Sequence, residues 1–310
     1  MNTVVLETIL PLFAIMMAGY AAGRLRLLGE GASAALSRFT FVAAMPALVF
    51  VSLSRVPVAE FFHWPFLGTL GGGMAAVYLC SLIVARIAFP GSLTALGLHG
   101  LTAMFSSTAY IGLPLILIVF GDAALVPGIV GAVITGVVFL PIAVVLAEID
   151  RDASDGSVVF SPLGGVLKNP VLIATAAGLA ASGLGVPVPA PVETFCELLG
   201  GAFIPCALFS GGLFLVGCSV EGDAKEIGWL VFVKLAVHPL ITWWLAYRVF
   251  ELEGILPAVA VLQAALPAGV PVFVLAQQYG VFTARANAVI VVSTALSIFT
   301  VSGLLFVLQS

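Results

Sequence analysis

The sequence predicts an all-α integral membrane protein: ten transmembrane helices in two inverted five-helix repeats, with helices four and nine broken. Three observations carry this expectation. Of 310 residues, 62% are hydrophobic and 8% charged, where soluble chains carry roughly 25% charged residues. Apolar runs of about 20 residues, enough to cross a bilayer, recur between Gly, Pro and charged punctuation. Residues of the first half also return in the second at a constant separation of 159 positions.

The composition excludes several classes. A net charge of −4 without a Lys/Arg run predicts no nucleic-acid partner. Cys80, Cys196, Cys206 and Cys218 are scattered through apolar stretches without a CxxC pair. They read as small buried hydrophobes, not as a disulfide framework or a zinc site. No GxSxG, HExxH, deep Asp pair or phosphate loop is present, so no enzyme, metal or cofactor is expected.

Taken in order, span one (about 3–23) has no basic region ahead of its apolar run and reads as a retained helix. Span two (33–54) contains Pro46, and span three (65–88) ends beside Arg86. Span four (97–120) holds Gly112 and Pro114; span five (123–147) leads into the longest polar stretch, EIDRDASDGS at 148–157. That stretch predicts a loop over 148–162 between repeat one (1–147) and repeat two (163–310). Spans six (163–184), seven (192–218, with Pro205) and eight (228–250, with His238 and Pro239) follow. Span nine (255–279) holds Pro267, Gly269 and Pro271, and span ten covers 284–308.

Arg24, Arg26, Arg38, Arg86, Arg151, Lys168, Lys225, Lys234 and Arg285 fall on one side of this arrangement; Arg55 and Arg248 fall on the other. The positive-inside rule then puts the central loop in the cytoplasm and both termini outside, in a multi-pass cell-membrane protein. The repeat pairs Pro11 with Pro170, Gly19 with Gly178, Pro46 with Pro205, Phe50 with Phe209, Phe120–Gly121 with Tyr279–Gly280 and Thr135 with Thr294. Five spans is an odd number, so the second copy enters from the opposite side. Inverted repeats of this kind are typical of secondary transporters, whose substrate site lies near the midplane.

The breaks point to that site. Proline removes a donor and glycine frees the backbone, so Gly112 and Pro114 are expected to interrupt span four, and Pro267, Gly269 and Pro271 span nine. At the 159 offset Gly112 falls on Pro271 and Ala109 on Ala268. Unwound backbone at this depth must be buried or line a cavity, and half-helix N-termini there suit an anion. Simple proline kinks are the alternative.

FSSTAYIGLPL (105–115), KNPVLIA (168–174) and LPAGVPVFVLAQQYG (266–280) resemble the auxin efflux carrier family, which includes plant auxin exporters and bacterial malonate-type transporters. The resemblance covers all ten spans. It implies a scaffold of spans one, two, six and seven, and a transport domain of spans three to five and eight to ten. It further implies crossing helices four and nine, a homodimer through the scaffold, and elevator-like alternating access. Where the family has an NTG-like pattern before the first crossover, this chain reads Ser107, Thr108 and Ala109. A hydroxyl offers fewer hydrogen bonds than an amide, so the resemblance does not name the substrate.

Ser106, Ser107 and Thr108 lead into the first break, and Gln263 lies one turn before the second. With Gly112, Pro114, Pro267, Ala268, Gly269 and Pro271 they form the candidate substrate site, although polar groups inside membranes also serve as helix–helix contacts. Gln277 and Gln278 fit a wet interface. His99 and His238 suggest a proton relay, but a lone membrane histidine more often bonds a neighbouring helix. Lys234 and Arg38 lie within about two turns of a span end, where they can snorkel. No Asp or Glu lies deep in the transport-domain spans, and by this count no Lys or Arg does either. The backbone at the breaks would then carry the anion. The expectation is a carrier of a small organic anion in contact with membrane lipid. A sodium-coupled carrier of the bile-acid type is the runner-up. A channel would show a charged ring or filter and a sensor an output domain; neither is visible.

Overall fold

The computed structural model describes residues 3–29, 31–155, 169–218 and 220–309. Lys168, the start of span six and the polar stretch beyond Asp155 lie outside these. In chain order the helices are α1 (Thr3–Arg24), α2 (Ala32–Ser54), α3 (Trp64–Ala88), α4 (Leu93–Met104), α5 (Leu113–Phe120), α6 (Leu125–Ile134), α7 (Leu140–Asp155), α8 (Pro170–Gly183), α9 (Ala190–Val216), α10 (Ala224–Val249), α11 (Leu256–Ala265), α12 (Val270–Tyr279) and α13 (Thr283–Gln309). Among the described residues, six helical stretches are long and apolar enough to cross a membrane: Ala32–Ser54, Val58–Ala88, Asp122–Ala147, Ala190–Val216, Ala224–Val249 and Thr283–Leu308. Large apolar side chains such as Trp64, Ile87 and Phe299 point outward, as in a protein solvated by lipid. The chain is a multi-pass, all-helical membrane protein.

The helix starts follow local chemistry. Asn169 caps α8 by accepting from Val171 N at 2.9 Å, and Pro170 occupies a first-turn position that needs no donor. Ser92 caps α4 and Asp223 caps α10 through the amides of Ala95 and Lys225. One boundary differs from expectation: α7 continues through Asp155, so helix replaces the first part of the loop expected from 148. Glu, Arg and Ala sustain a helix as well as apolar residues do. Asp150 on this extension accepts from Thr94 N at 3.1 Å and Thr94 Oγ1 at 2.6 Å. These bonds hold its carboxyl below the usual carboxylate range.

Four prolines follow a widened turn. Four π-turns, Thr40–Ala44, Thr108–Gly112, Thr135–Phe139 and Val233–Val237, each end two residues before a proline: Pro46, Pro114, Pro141 and Pro239. A proline ring clashes with the carbonyl four residues earlier. In each case that carbonyl lies inside the widened turn, so the helix passes the proline without stopping.

The chain divides into two compact units. The first comprises Met1–His63, Ala109–Val130 and Leu167–Gly217. In it α1 packs on α9 and α8 on α2, and glycine sets the distance. A Cβ on Gly19 would collide with the Phe209 carbonyl, and one on Gly178 would come within 2.9 Å of the Phe50 carbonyl. These two contacts are reciprocal in the 159-residue register, since Gly19 corresponds to Gly178 and Phe50 to Phe209. At the end of α2, Arg55 bonds both Glu193 and Glu197 of α9, and the two carboxylates raise its pKa.

The second unit comprises Trp64–Thr108, Gly131–Val166 and Cys218–Ser310. Here α4 packs between α3 and α7, α10 packs on α3 and α11, and α13 packs on α11 and α12. Its interior holds most of the buried polar side chains.

Candidate functional site

The site grows from two interruptions inside the second unit. Pro267 ends α11, because a residue before proline is forced out of helical geometry; Leu266 is extended, with ψ 153°. Gly269 is also extended (φ −89°, ψ 144°) just ahead of α12. On the other chain segment Phe105, with ψ 114°, leaves α4. The two extended stretches pair as a short antiparallel bridge centred on Ser106 and Ala268. Ser107 N donates to Pro267 O at 2.8 Å and Gly269 N to Phe105 O at 3.1 Å. Each break thereby satisfies the other's backbone, as a low-dielectric interior requires. Any Cβ at 269 would lie 2.6 Å from the Phe105 ring, so glycine permits the pairing.

Side chains complete the crossing. Ser106 Oγ lies 2.8 Å from Lys234 Nζ, and the same nitrogen donates to Ala264 O, in the last turn of α11, at 2.7 Å. Nζ lies 3.1 Å from His238 Nδ1, one turn along α10. Ser293 Oγ of α13 accepts from Ala268 N at 3.1 Å. Thr108 N donates to Ser106 O at 2.7 Å. Ser106, Ser107, Thr108, Gln263, Pro267, Ala268 and Gly269 are all buried. Gly131 makes room for Gln263, whose Oε1 a Cβ at 131 would strike.

Three expectations are corrected. Lys234 does not snorkel; it is fully buried. It stands ten residues into α10, about 15 Å from the helix start, in a π-turn beside hydroxyl and carbonyl acceptors. A basic residue therefore does lie deep in these spans. A Lys and a His four positions apart in an apolar run share one helix face, and that signal was available. Second, a carboxylate is buried in this unit. Glu226 is 3% exposed, with Oε2 3.1 Å from Arg285 Nη1 and Oε1 3.9 Å from the buried His99 Nε2. It escaped because it stands two residues before the expected start of span eight.

Third, the extended part of span four is 105–107, not Gly112–Pro114. Gly112 is helical (φ −66°, ψ −59°), and Pro114 sits in the first turn of α5; both belong to the first unit. The bridge centre also shifts the local register, because residues 106 and 268 are 162 positions apart rather than 159. After the first break, a five-residue π-turn and eight residues of α5 correspond in the repeat to only ten residues in α12, which absorbs the difference of three. Pro271 lies in the first turn of α12, and Gln277 and Gln278 are exposed.

Among the described residues no group of three His, Cys, Asp or Glu could hold a metal ion. The arrangement offers one ammonium, several hydroxyls and the N-terminal end of α12, a set of donors suited to an anion.

The sequence matches the family model described as "Membrane transport protein" over residues 4–151 and 157–305. A Rhizobium meliloti protein named "Putative malonate transporter" is 30% identical over 308 residues, covering 97% of this chain and 95% of that one. "Uncharacterized transporter" of Methanothermobacter thermautotrophicus is 27% identical and "Uncharacterized transporter YfdV" of Escherichia coli 26%, each covering 94% of both chains. The chain belongs to this membrane transport protein family, the auxin efflux carrier family.

Proposed function

We infer that the protein is a secondary carrier of a small mono- or dicarboxylate, malonate being the first candidate. The observation that carries this reading is the paired break with the Lys234 ammonium on Ser106, a buried cationic and hydroxyl-rich crossing inside one unit. Ser107, Thr108 and Gln263 supply neutral donors, and the α12 N-terminus, preceded by Gly269 and shaped by Pro267 and Pro271, supplies a partial positive charge. The name of the Rhizobium relative favours the same substrate class.

The cycle we assign is elevator-like. Spans one, two, six and seven form the scaffold, through which two copies pair, and spans three to five and eight to ten move the substrate. The compact units support this division, except that Ala109–Val130 groups with the first. The reciprocal Gly19–Phe209 and Gly178–Phe50 contacts support an inverted ten-helix repeat. By the basic-residue bias, both termini lie outside and the central loop is cytoplasmic. Counterflow in liposomes with labelled malonate, malate, pyruvate and indole-3-acetate, with and without sodium, tests the reading. Saturable exchange of at least one acid is expected, whereas a large unitary conductance would sink the carrier.

A further inference from the structure

We propose that Lys234 and His238 form a proton-coupling site, which takes up one proton with each carboxylate bound and fills with an ammonium the place a metal cation would otherwise hold. The proposal rests on the carboxylate reading above and adds the coupling ion to it.

The geometry of Lys234 Nζ is that of a donor with three acceptors around it: Ser106 Oγ at 2.8 Å, Ala264 O at 2.7 Å and His238 Nδ1 at 3.1 Å. A neutral amine gives two N–H groups, to Ala264 O and His238 Nδ1, and its lone pair can accept from the Ser106 hydroxyl; an ammonium gives all three. Ala264 lies in the last turn of α11, where carbonyl dipoles favour positive charge. In transporters with broken helices this end is where a coupling cation sits. Here a tethered nitrogen occupies it.

Among the described residues no carboxylate offsets that nitrogen. The π-turn Val233–Val237 packs against α4, α11 and α13, and the residues after it pack against α3. The titratable and charged side chains of those helices are His99 on α4, Arg285 on α13, Tyr78, Cys80 and Arg86 on α3, and none on α11. On α10 itself they are Lys225, Glu226, His238, Tyr247 and Arg248. The one acid among them, Glu226, is eight residues away, about 12 Å along the helix, and is paired with Arg285. Two positive charges 3.1 Å apart exclude each other, so the pair holds at most one. A lone charge sealed from water is costly, and a carboxylate arriving at the crossing supplies its missing partner.

The step balances simply. As the carboxylate enters, the Nζ lone pair takes a proton from the same side of the membrane, and one positive charge meets one carboxylate. On release the proton leaves with the acid, and the empty site returns with a neutral amine hydrogen-bonded to His238. No bond other than N–H forms or breaks.

Malonate added to the purified full-length protein in weakly buffered detergent with a pH indicator tests this, above neutrality where malonate itself does not titrate. Wild type is expected to take up about one proton per malonate bound, and its Kd to weaken about tenfold per pH unit on the alkaline side, the slope of one linked proton. Lys234→Met, apolar and of similar length, should take up none and bind at all pH values as weakly as wild type does at its alkaline limit. His238→Gln keeps an acceptor for the ammonium but removes its rival for the proton; it should retain proton uptake and shift the alkaline break to higher pH. Replacing choline by sodium should leave affinity unchanged. Malonate binding that is independent of pH, proton uptake that survives Lys234→Met, or binding tightened by sodium overturns the proposal while leaving the carboxylate reading standing. If none of the four acids binds wild type, the carboxylate reading itself falls, and the coupling with it.

Discussion

The two compact units solve the problem of packing helices in lipid differently. Of the twenty-one buried polar or charged residues among those described, three (Thr40, Thr175 and Ser210) lie in the first unit and the other eighteen in the second. Glycines mirror the contrast. In the first unit three of them let backbones meet, Gly19 facing the Phe209 carbonyl, Gly212 the Met16 carbonyl and Gly200 the backbone of Leu48, while Gly23 and Gly128 lie against side chains. In the second they make room for side chains: Gly131 for Gln263, Gly73 for Thr242 and Gly269 for Phe105. Close backbone approach is the dry adhesive of membrane helices, whereas buried hydroxyls, amides and an ammonium are costly unless they serve a ligand or one another. The first unit is joined by close backbone contacts, and the second buries most of the polar side chains.

That contrast can be broken most severely in the first unit. Gly212→Val drives methyl groups into the Met16 carbonyl and Tyr20 amide, which cannot move aside. Overpacking against backbone should cost about 3 kcal/mol or more, and loss of monodisperse protein on size exclusion is the expected result. Gly131→Ala in the second unit meets a side chain instead. The protein should fold, while displaced Gln263 cuts malonate counterflow on the order of tenfold, the worth of a hydrogen bond to a charged group. Equal loss of folded protein in both variants would erase the distinction.

Smaller effects sharpen it. Pro271→Ala restores an amide whose helical acceptor, Pro267 O, is already used by Ser107 N. Competition for that oxygen should weaken the bridge by about 1 kcal/mol, seen as a severalfold fall in exchange at unchanged yield. Thr94→Val gives the smallest change. Asp150 is held below its usual range chiefly by the Thr94 hydroxyl, so this bond stabilises the fold at pH values above the ordinary carboxylate pKa. The contribution disappears as pH falls through the lowered value. The variant should therefore melt slightly below wild type near neutrality, by at most about 0.5 kcal/mol at this half-buried site, and converge with it in acid.

How far the sequence spoke depends on whether a feature is local. The break after Ala265 is written in Pro267 and Gly269, and every proline that follows a π-turn is visible as a proline. The break at Phe105 is not, because neither Ser106 nor Ser107 is a helix breaker; the partner strand 267–269 draws that segment out of the helix. Lys234 differs from its expectation for a related reason. Its distance from the end of the span suggested an aqueous head group, and only the fold reveals a hydroxyl and a helix-end carbonyl within 2.8 Å. Gly112 and Pro114 looked like the centre of the first break because their composition is that of a break; the widened turn before Pro114 lets the helix run through them.

The central claim is that the polar crossing of the second unit holds the carboxylate. Calorimetric titration of malonate into wild type, Ser107→Ala and Thr40→Val tests it most directly. Ser107 lies in the bridge, whereas Thr40 is a buried hydroxyl of the first unit that donates only to Leu36 O at 2.8 Å in its own helix. Ser107→Ala is expected to weaken binding by about 1.5–3 kcal/mol, the loss of a hydrogen bond to a charged group, and Thr40→Val to leave it unchanged. Unaltered affinity in Ser107→Ala, with weakened affinity in Thr40→Val, would contradict the account and move the site out of the second unit.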